Sequence, residues 1–286
     1  MVRLLSKIRL LASVGLASLA VPAIAADMPS SLTPPVFTQP ASGYDVTIGA
    51  GPDVTNQFPG ARSITVLPSI HLSYRKAGQP EPFYTPDDAL DIALYENPFL
   101  RIGPAANFIT RRGLSNGNGN FFGLHNIGDT LELGGFVEVF PVPEHLRLRG
   151  EILQGVTGSK GLVGNLGADI IQRFGAVQFS VGPRFGFGDQ RYVDQYFSIA
   201  PYEAAANGLV TPYRATDGLT SVGALATVKY DLNKTYAVLL FGGYSRLVDG
   251  AGESPVATVL GSRDQFTAGL TLNYTFGFKG FGILGF

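Results

Sequence analysis

Hydrophobic and polar residues alternate with a period of two in many segments of this chain. In residues 267–276 the apolar or aromatic positions share one face: Ala268, Leu270, Leu272, Tyr274 and Phe276. About ten alternating residues is the length of a tilted strand that crosses a bilayer with its apolar face toward lipid. The pattern predicts membrane-spanning β-strands, and an aromatic end on the last strand is typical of bacterial outer-membrane barrels.

The same alternation predicts ten strands in all. Their ranges are 43–51, 62–75, 98–110, 129–140, 145–155, 162–173, 176–188, 218–230, 235–247 and 264–276. The gaps between them alternate in length: residues 141–144, 174–175 and 231–234 are tight, whereas 111–128, 189–217 and 248–263 are long. Short turns at one end and long loops at the other are the arrangement expected of an outer-membrane barrel.

Residues 76–97 decide the strand count. A chain with both ends in the periplasm needs an even number of strands, and ten strands would leave this segment as an unusually long inner connection. EPFYTP (81–86) and ALDIALYE (89–96) could instead form two short strands. We therefore favour an all-β, up-and-down antiparallel transmembrane barrel of twelve strands, with ten as the alternative. Bulges or strand ends are expected at Pro68 and Pro183, because proline lacks the ladder donor.

The two ends of the chain carry segments outside the predicted barrel. Residues 1–25 combine basic residues, an apolar run and the sequence Ala23-Ile24-Ala25, the pattern of a cleaved export signal. We expect a periplasmic lead-in at 26–42, the barrel at 43–276 and a C-terminal tail at 277–286. Apolar residues after the signal are dispersed over short segments, which favours strands over spanning helices. The predicted location is the outer membrane of a Gram-negative bacterium.

Composition excludes several kinds of site. The chain has no Cys, so neither disulfides nor thiolate metal sites can form. Its formal net charge of −1 gives no reason to expect a nucleic-acid partner. The three histidines are not spaced as metal ligands, and we predict neither a metal nor a cofactor. His71 could pair with Ser69 or Ser73, but the alternation points it inward, so no catalytic residue is predicted.

Charged residues fall on the inward faces of neighbouring predicted strands. If the turn at 141–144 closes its hairpin symmetrically, Glu138 lies opposite Arg147, with Arg149 on the diagonal. Asp169 is then about one register step from both arginines. The signs are nearly balanced, which favours ion pairs that fill the barrel over a channel that selects solutes. The predicted lumenal network comprises Glu132, Glu138, Arg147, Arg149, Glu151, Asp169 and Arg184.

The longest predicted loop, 189–217, is too long to be a simple connector. Its stretch PYEAAANGL could form a short helix with Gly208 near the C-terminus. Its aromatic residues could pack into the mouth of the barrel as a lid, or form a binding surface outside, and we favour the lid. These residues are Tyr192, Tyr196, Phe197, Tyr202 and Tyr213.

Three segments in the last third of the chain point to a known family. They are YFSIAPYEAAANGLVTPYRATDGL (196–219), YSRLVDGAGESPV (244–256) and GSRDQFTAGLTLNYTF (261–276), with a looser match at 49–70. They resemble the MipA/OmpV family, the MltA-interacting protein family of outer-membrane proteins. Two features depart from the family pattern. Asn207 stands where the family usually has serine, and residues 277–286 extend beyond the point where relatives normally end.

The resemblance implies a non-catalytic scaffold of the cell envelope. A member of this family binds a murein-degrading lytic transglycosylase and a penicillin-binding synthase, so both are expected partners. We expect a monomer surrounded by outer-membrane lipid. Other members resemble adhesins or are linked to stress and antibiotic responses, so a narrow porin-like channel for small solutes and a surface adhesin stay open as alternatives.

Overall fold

The computed structural model describes residues 43–113 and 120–278. The predictions of an export signal at 1–25 and a lead-in at 26–42 lie outside the described residues, as does the predicted tail from residue 279 onward. Within the described residues, twelve β-strands form one antiparallel sheet that curves into a near-closed barrel. The predicted fold class and the strand count of twelve are confirmed.

The strands lie close to the predicted ranges, and the loops add three short helices and a π-helical turn. The strands are β1 Tyr44–Asn56, β2 Ile64–Lys76, β3 Leu90–Asp91, β4 Tyr95–Asn97, β5 Leu100–Ile109, β6 Thr130–Val142, β7 Leu146–Gly155, β8 Leu162–Phe174, β9 Val177–Gly188, β10 Gly218–Asp231, β11 Tyr236–Leu247 and β12 Asp264–Phe278. The helices are α1 Gln190–Tyr196, α2 Pro201–Asn207 and α3 Asp249–Glu253, and the π-helical turn is Val256–Leu260.

The two faces of the sheet have opposite character. Outward side chains are apolar and exposed: Ile70 on β2 and Ile152 on β7 are 67% and 64% accessible. Inward side chains on β6 and β7 are charged and buried, as for Glu138 and Arg147. An apolar exterior around a polar interior is the arrangement of a barrel that crosses a membrane. In the described ranges, no helix is both long and apolar enough to span a bilayer.

Connections of different length separate the two ends of the barrel. Tight turns join β6 to β7, β8 to β9, and β10 to β11 at one end, which we call the turn end. Long connections join β5 to β6, β9 to β10, and β11 to β12 at the other, which we call the loop end, and the helices lie there. Outer-membrane barrels keep their short turns in the periplasm and their long loops outside the cell, so the loop end faces outward.

Strands β3 and β4 share one position beside β5. Leu90 lies opposite Ala106 and Asn97 opposite Leu100, so seven steps along β3 and β4 match six along β5, and one extra residue is bulged. Gly103 permits this bulge, since a Cβ there would lie 1.9 Å from the carbonyl oxygen of Ile92. Twelve strands therefore occupy eleven positions around the wall.

The sheet begins at β2 and ends at β3 and β4. Chain direction alternates from one position to the next, and with eleven positions both edges run toward the turn end. Antiparallel pairing requires strands that run in opposite directions, so these two edges cannot pair in that way. No hydrogen-bonded pairing joins the two edges anywhere in the described chain. We call this break in the wall the seam.

Residues 77–89 connect the two edges through the interior, and we call them the inner segment. They leave β2 at the turn end and rise inside the barrel until they reach β3. Thr85 and Ala89 are 1% and 7% exposed. The prediction that 81–86 forms a strand is wrong: these residues have irregular backbone, because their side chains contact charged groups in the lumen. The count of twelve holds because residues 90–97 supply both β3 and β4.

The two prolines leave their strands intact. Pro68 lies in the middle of β2, which is an edge strand and needs no donor on its open side. Pro183 lies within β9, where the ladder to β8 skips from Arg184 to Val181. The expected strand ends are not found, and the irregularity is confined to this interrupted pairing.

Candidate functional site

Arg147 on β7 lies at the centre of the charged lumen. Its side chain is 1% exposed and donates to Asp88 Oδ2 at 2.6 Å and to Asp169 Oδ2 at 3.0 Å. Its Nη2 lies 2.5 Å from Oε1 of Glu138 on β6. One guanidinium thus joins three strands of the wall, β6, β7 and β8, to the inner segment. A buried charge is tolerated when it is paired and hydrogen-bonded in this way.

Arg149 shares the same acid. Its Nη1 donates to Glu138 Oε1 at 2.9 Å and its Nε to Glu151 Oε1 at 2.6 Å. The register differs from the prediction, because Arg149 and not Arg147 lies directly opposite Glu138. An irregularity between Val139 and Val142 shifts the pairing near the turn, so Arg147 takes the diagonal.

Of the two remaining predicted residues, Arg184 joins this network and Glu132 lies apart. Arg184 on β9 donates to Asp169 Oδ1 at 2.8 Å and to Asp87 Oδ2 at 2.6 Å. Glu132 on β6 is buried nearer the loop end and accepts a hydrogen bond from Asn107 at 3.0 Å. Six of the seven predicted lumenal residues are therefore linked through ion pairs.

Sequence reasoning missed the acids of the inner segment. Besides Asp87 and Asp88, Glu81 forms an ion pair with Lys229 on β10. Tyr84 stacks on His71 of β2, with ring centroids 3.4 Å apart. These residues lie outside any strand, so alternation gave no information about them. The available signal was a connection, 76–97, too long for a turn and rich in acids.

The complete network contains more acids than bases. Among the described residues, four guanidinium groups are linked by ion pairs to seven carboxylates, so the near balance of the predicted set does not extend to the whole network. The inner segment and the strands that follow it supply the extra acids. The cations are Arg101, Arg147, Arg149 and Arg184, and the carboxylates are Asp87, Asp88, Asp91, Glu96, Glu138, Glu151 and Asp169.

A cavity of about 460 Å³, which we call the chamber, lies above this network. Asp88, Arg147 and Arg149 line its floor, and Tyr192 and Phe197 line its roof. Charged side chains thus lie at one end of the chamber, and aromatic side chains of the loop end lie at the other.

The roof belongs to the connection between β9 and β10, residues 189–217, which we call the cap. Its aromatic residues Tyr192, Tyr196 and Phe197 are buried, and Tyr213 is half-buried with its hydroxyl donating to the carbonyl of Gly250 at 2.9 Å. Tyr202 is 73% exposed and faces solvent. Four of the five residues predicted for a lid thus pack inside the cap or against its neighbours, and Tyr202 does not.

Local sequence explains how the cap folds. The predicted helix is α2, which has Pro201 at its first position and ends at Gly208 with φ of +74°. Asp189 caps α1 by accepting from the backbone N–H of Tyr192 at 2.8 Å. Short helices with satisfied ends allow this long loop to form a compact cover.

The neighbouring loops hold the cap through buried polar contacts. Arg112, which is 2% exposed, donates to the carbonyls of Tyr196 at 2.6 Å and Gln195 at 2.9 Å. Burial lowers the pKa of the Arg112 guanidinium to about 10, which still leaves it charged at neutral pH. Ser254 donates to the carbonyl of Phe197 at 2.5 Å. The cap is thus tied to both adjacent loops.

Glu203 on α2 forms the third attachment. Its carboxylate lies 2.7 Å from Nδ1 of His125 and accepts from the backbone N–H groups of His125 and Ala200, each at 2.8 Å. Burial opposes ionisation, but these hydrogen bonds outweigh it and lower the pKa of the Glu203 carboxyl below its ordinary value. Ionised Glu203 therefore stabilises the cap.

His71 is inward, as the alternation predicted. Its Nε2 lies 3.8 Å from Oε1 of Glu81, while Ser69 shares a hydrogen bond of 3.3 Å with Thr271. This arrangement turns the imidazole toward a carboxylate and the serine toward β12, so it does not join them as nucleophile and base.

Comparison with known proteins identifies one family. The profile of the family described as MltA-interacting protein MipA matches residues 48–276, which spans the sheet from β1 to β12. No curated protein sequence matches the chain.

Solved structures with a similar fold are distant in sequence. An outer-membrane channel from Pseudomonas putida F1 is 9% identical, with a TM-score of 0.40, and the match covers 83% of this chain and 97% of that one. The outer-membrane protease OmpT from Escherichia coli is 10% identical, with a TM-score of 0.31, and the match covers 85% of this chain and 99% of that one. The outer-membrane protein OprG from Pseudomonas aeruginosa is 11% identical, with a TM-score of 0.26, and the match covers 82% of this chain and 97% of that one.

Proposed function

Because the chain belongs to the MltA-interacting protein (MipA) family, we propose that it is a non-catalytic outer-membrane scaffold that binds murein-remodelling enzymes while its barrel stays closed to solutes. The expected partners are a lytic transglycosylase and a penicillin-binding protein. The observation that carries the closed barrel is the pair between Asp88 and Arg147, which holds the inner segment across the lumen.

The energetics of this pair favour a permanent closure. Arg147 is 1% exposed and Asp88 is part of the same buried cluster, so withdrawing the inner segment would leave the guanidinium without one of its partners. Separating a buried pair in this way costs about 3–5 kcal/mol, enough to keep the open form rare. A barrel closed by such pairs does not conduct solutes, so its function depends on contacts made by its outer surfaces.

The turn end is the surface that a periplasmic partner would contact. It presents exposed side chains from three connections, including Gln79 in the inner segment, Glu144 in the β6–β7 turn and Leu232 in the β10–β11 turn. We propose that these residues contribute to the partner interface. The surface is small, which suits a transient assembly more than a permanent one.

Two measurements test this function separately. Purified protein in nanodiscs should bind an immobilised lytic transglycosylase or penicillin-binding protein, and Gln79→Ala combined with Leu232→Ala should weaken that binding. Tyr202→Ala, which changes an exposed residue at the opposite end of the barrel, is the matched control and should leave binding unchanged. Failure of the native protein to bind either enzyme would refute the scaffold.

In planar bilayers the native barrel should show no stable unitary conductance. A narrow channel is the second candidate, favoured by the chamber of about 460 Å³. Stable unitary currents, selective for cations because of the excess of carboxylates, would replace the closed-barrel proposal with this one.

A further inference from the structure

The inward residues of β2, beside the seam, are less well covered than those of β7. On β2, the inward residues Ser69, His71 and Ser73 are only half-buried, whereas Arg147 and Arg149 on the opposite part of the wall are buried. The edge of β2 that faces the seam pairs with no other strand of the described chain. Side chains, rather than backbone hydrogen bonds, therefore separate lipid from lumen at this place.

A cavity of about 360 Å³ lies at the seam, and we call it the seam cavity. Its lining includes Leu72 and Leu90, which are 54% and 57% exposed on the outer surface of the barrel. It also includes Glu138 and Arg149, which are buried in the lumen. One cavity thus connects the lipid-facing surface with the charged interior.

The outer part of the seam cavity is apolar and aromatic. Tyr74 lines it from the β2 edge of the sheet, and Ile92 of the bulge lines it from the opposite edge. Phe83 and Tyr84 of the inner segment also line it. Aromatic rings and aliphatic side chains bind hydrocarbon or ring systems through burial of apolar surface. The volume falls in the range of pockets that hold small organic molecules.

The inner part of the seam cavity is acidic. Four carboxylates line it, from Asp88, Asp91, Glu96 and Glu138, against two guanidinium groups, from Arg101 and Arg149. The whole ion-paired network repeats this excess, with seven carboxylates for four guanidinium groups. Such an environment favours a positive charge and disfavours a negative one.

We propose that the seam cavity binds a cationic amphiphile, a molecule with an apolar body and an amine or quaternary ammonium head, which enters sideways from the membrane. The apolar body occupies the part near Tyr74 and Ile92, and the head lies toward Glu96 and Glu138. Entry through the seam needs no opening of the cap. The site is independent of the proposed scaffold role, since it lies in the wall and not at the turn end.

Photocrosslinking tests the charge preference directly. The native protein is placed in phosphatidylcholine vesicles with dodecyltrimethylammonium that carries a diazirine in its chain, and dodecyl sulfate with the same diazirine is the matched anion. After irradiation, labelled residues are mapped by mass spectrometry. The cation should label β2 and the inner segment about fivefold or more above the anion, since opposite and like charges near the carboxylates act in opposite directions.

Two substitutions on one face of β2 test the location. Ser73→Phe fills the seam cavity, whereas Thr65→Phe introduces the same ring on an inward position of β2 outside it. Labelling by the cation should fall severalfold in the first variant and stay unchanged in the second. Heat-modifiable mobility on gels verifies that both variants form barrels.

Three results would overturn the proposal. The first is equal labelling by cation and anion. The second is labelling spread evenly around the outward face of β6 to β11. The third is unchanged labelling in a correctly folded Ser73→Phe protein.

Discussion

Glu138 Oε1 lies 2.5 Å from Nη2 of Arg147, although the register of the sheet places Arg149 opposite Glu138. The same carboxylate also accepts from Arg101 at 2.6 Å and from Arg149 at 2.9 Å. One acid therefore holds three guanidinium groups from β5 and β7. Glu138 is therefore the carboxylate that these three guanidinium groups share.

We expect Glu138→Gln to be strongly destabilising. The amide keeps the shape of the side chain but leaves three guanidinium groups, two of them buried, without their shared anion, so the free energy of unfolding should fall by about 3–5 kcal/mol. Denaturant unfolding of the barrel in detergent micelles, followed by heat-modifiable mobility, measures the change. Glu144→Gln in the exposed β6–β7 turn is the control and should alter stability by less than about 0.5 kcal/mol. A loss below about 1 kcal/mol for Glu138→Gln would show that the remaining carboxylates of the cluster compensate for the missing charge.

Gly103→Ala should disturb the seam from the side of β5. Its Cβ would lie 1.9 Å from the carbonyl oxygen of Ile92, so the bulge between β3 and β4 must move. We expect a loss of about 1–3 kcal/mol in unfolding free energy, as for other overpacked sites. Hydrogen exchange should also accelerate at the Leu94 amide, which donates to Ile102 at 2.9 Å.

Gly242→Ala on β11 is the matched control, because no atom lies within 4 Å of its added Cβ. If both alanine variants exchange Leu94 at the native rate, the close approach at Gly103 is not a constraint.

Sequence patterns were sufficient to predict the wall of this barrel. Alternation identified β12 and most other strands to within a few residues, since each inward or outward position has a fixed polarity when lipid surrounds the sheet. The inward charges on β6, β7 and β8 followed from the same rule.

The inner segment could not be predicted in this way. Its residues pack inside the lumen with irregular backbone, so polarity has no period there, and Asp88 was missed although it contacts Arg147 directly. The register between Glu138 and Arg149 was also missed, because an irregularity near one turn shifts every pair beyond it.

Removing residues 195–212 should open the chamber to water. Most of the cap is lost, including Tyr196 and Phe197, while the charged floor remains. The reporter is Thr220→Cys, a chamber residue that is 6% exposed, in a chain without native cysteine. A water-soluble maleimide should react slowly with the capped protein and many times faster with the deletion.

Val259→Cys, at a position that is 50% exposed, should react at the same rate in both proteins and serves as the control. Planar bilayers should still show no through-current in the deletion variant, because the inner segment stays in place. Slow labelling of Thr220→Cys after the deletion would mean that other residues seal the chamber.

The cap should open in acid. The pKa of the Glu203 carboxyl is lowered in the folded protein, so its contribution is complete above the unfolded value of about 4.3 and is lost as the pH falls through the lower folded value. Maleimide is a poor reagent at low pH, so limited pepsin cleavage within the cap is the measurement. Cleavage should be slow at pH 5 and should increase below about pH 4.

Glu203→Gln should make the cap sensitive to pepsin already at pH 5, since the amide cannot satisfy His125 and Ala200 as the carboxylate does. Glu253→Gln, on the exposed face of α3 in the neighbouring loop, should behave like the native protein. Identical cleavage profiles for the two variants would contradict a role of Glu203 in holding the cap.

The eleven positions of the wall have a consequence for assembly. β1 pairs with β12 along most of its length, so the first and last described strands along the chain join as they do when an ordinary barrel is completed. Here that pairing leaves a gap between β2 and the β3–β4 edge, and the segment that connects these two edges must enter the lumen. We therefore expect maturation to end with the docking of residues 77–89, so that filling the interior and sealing the perimeter become a single late event.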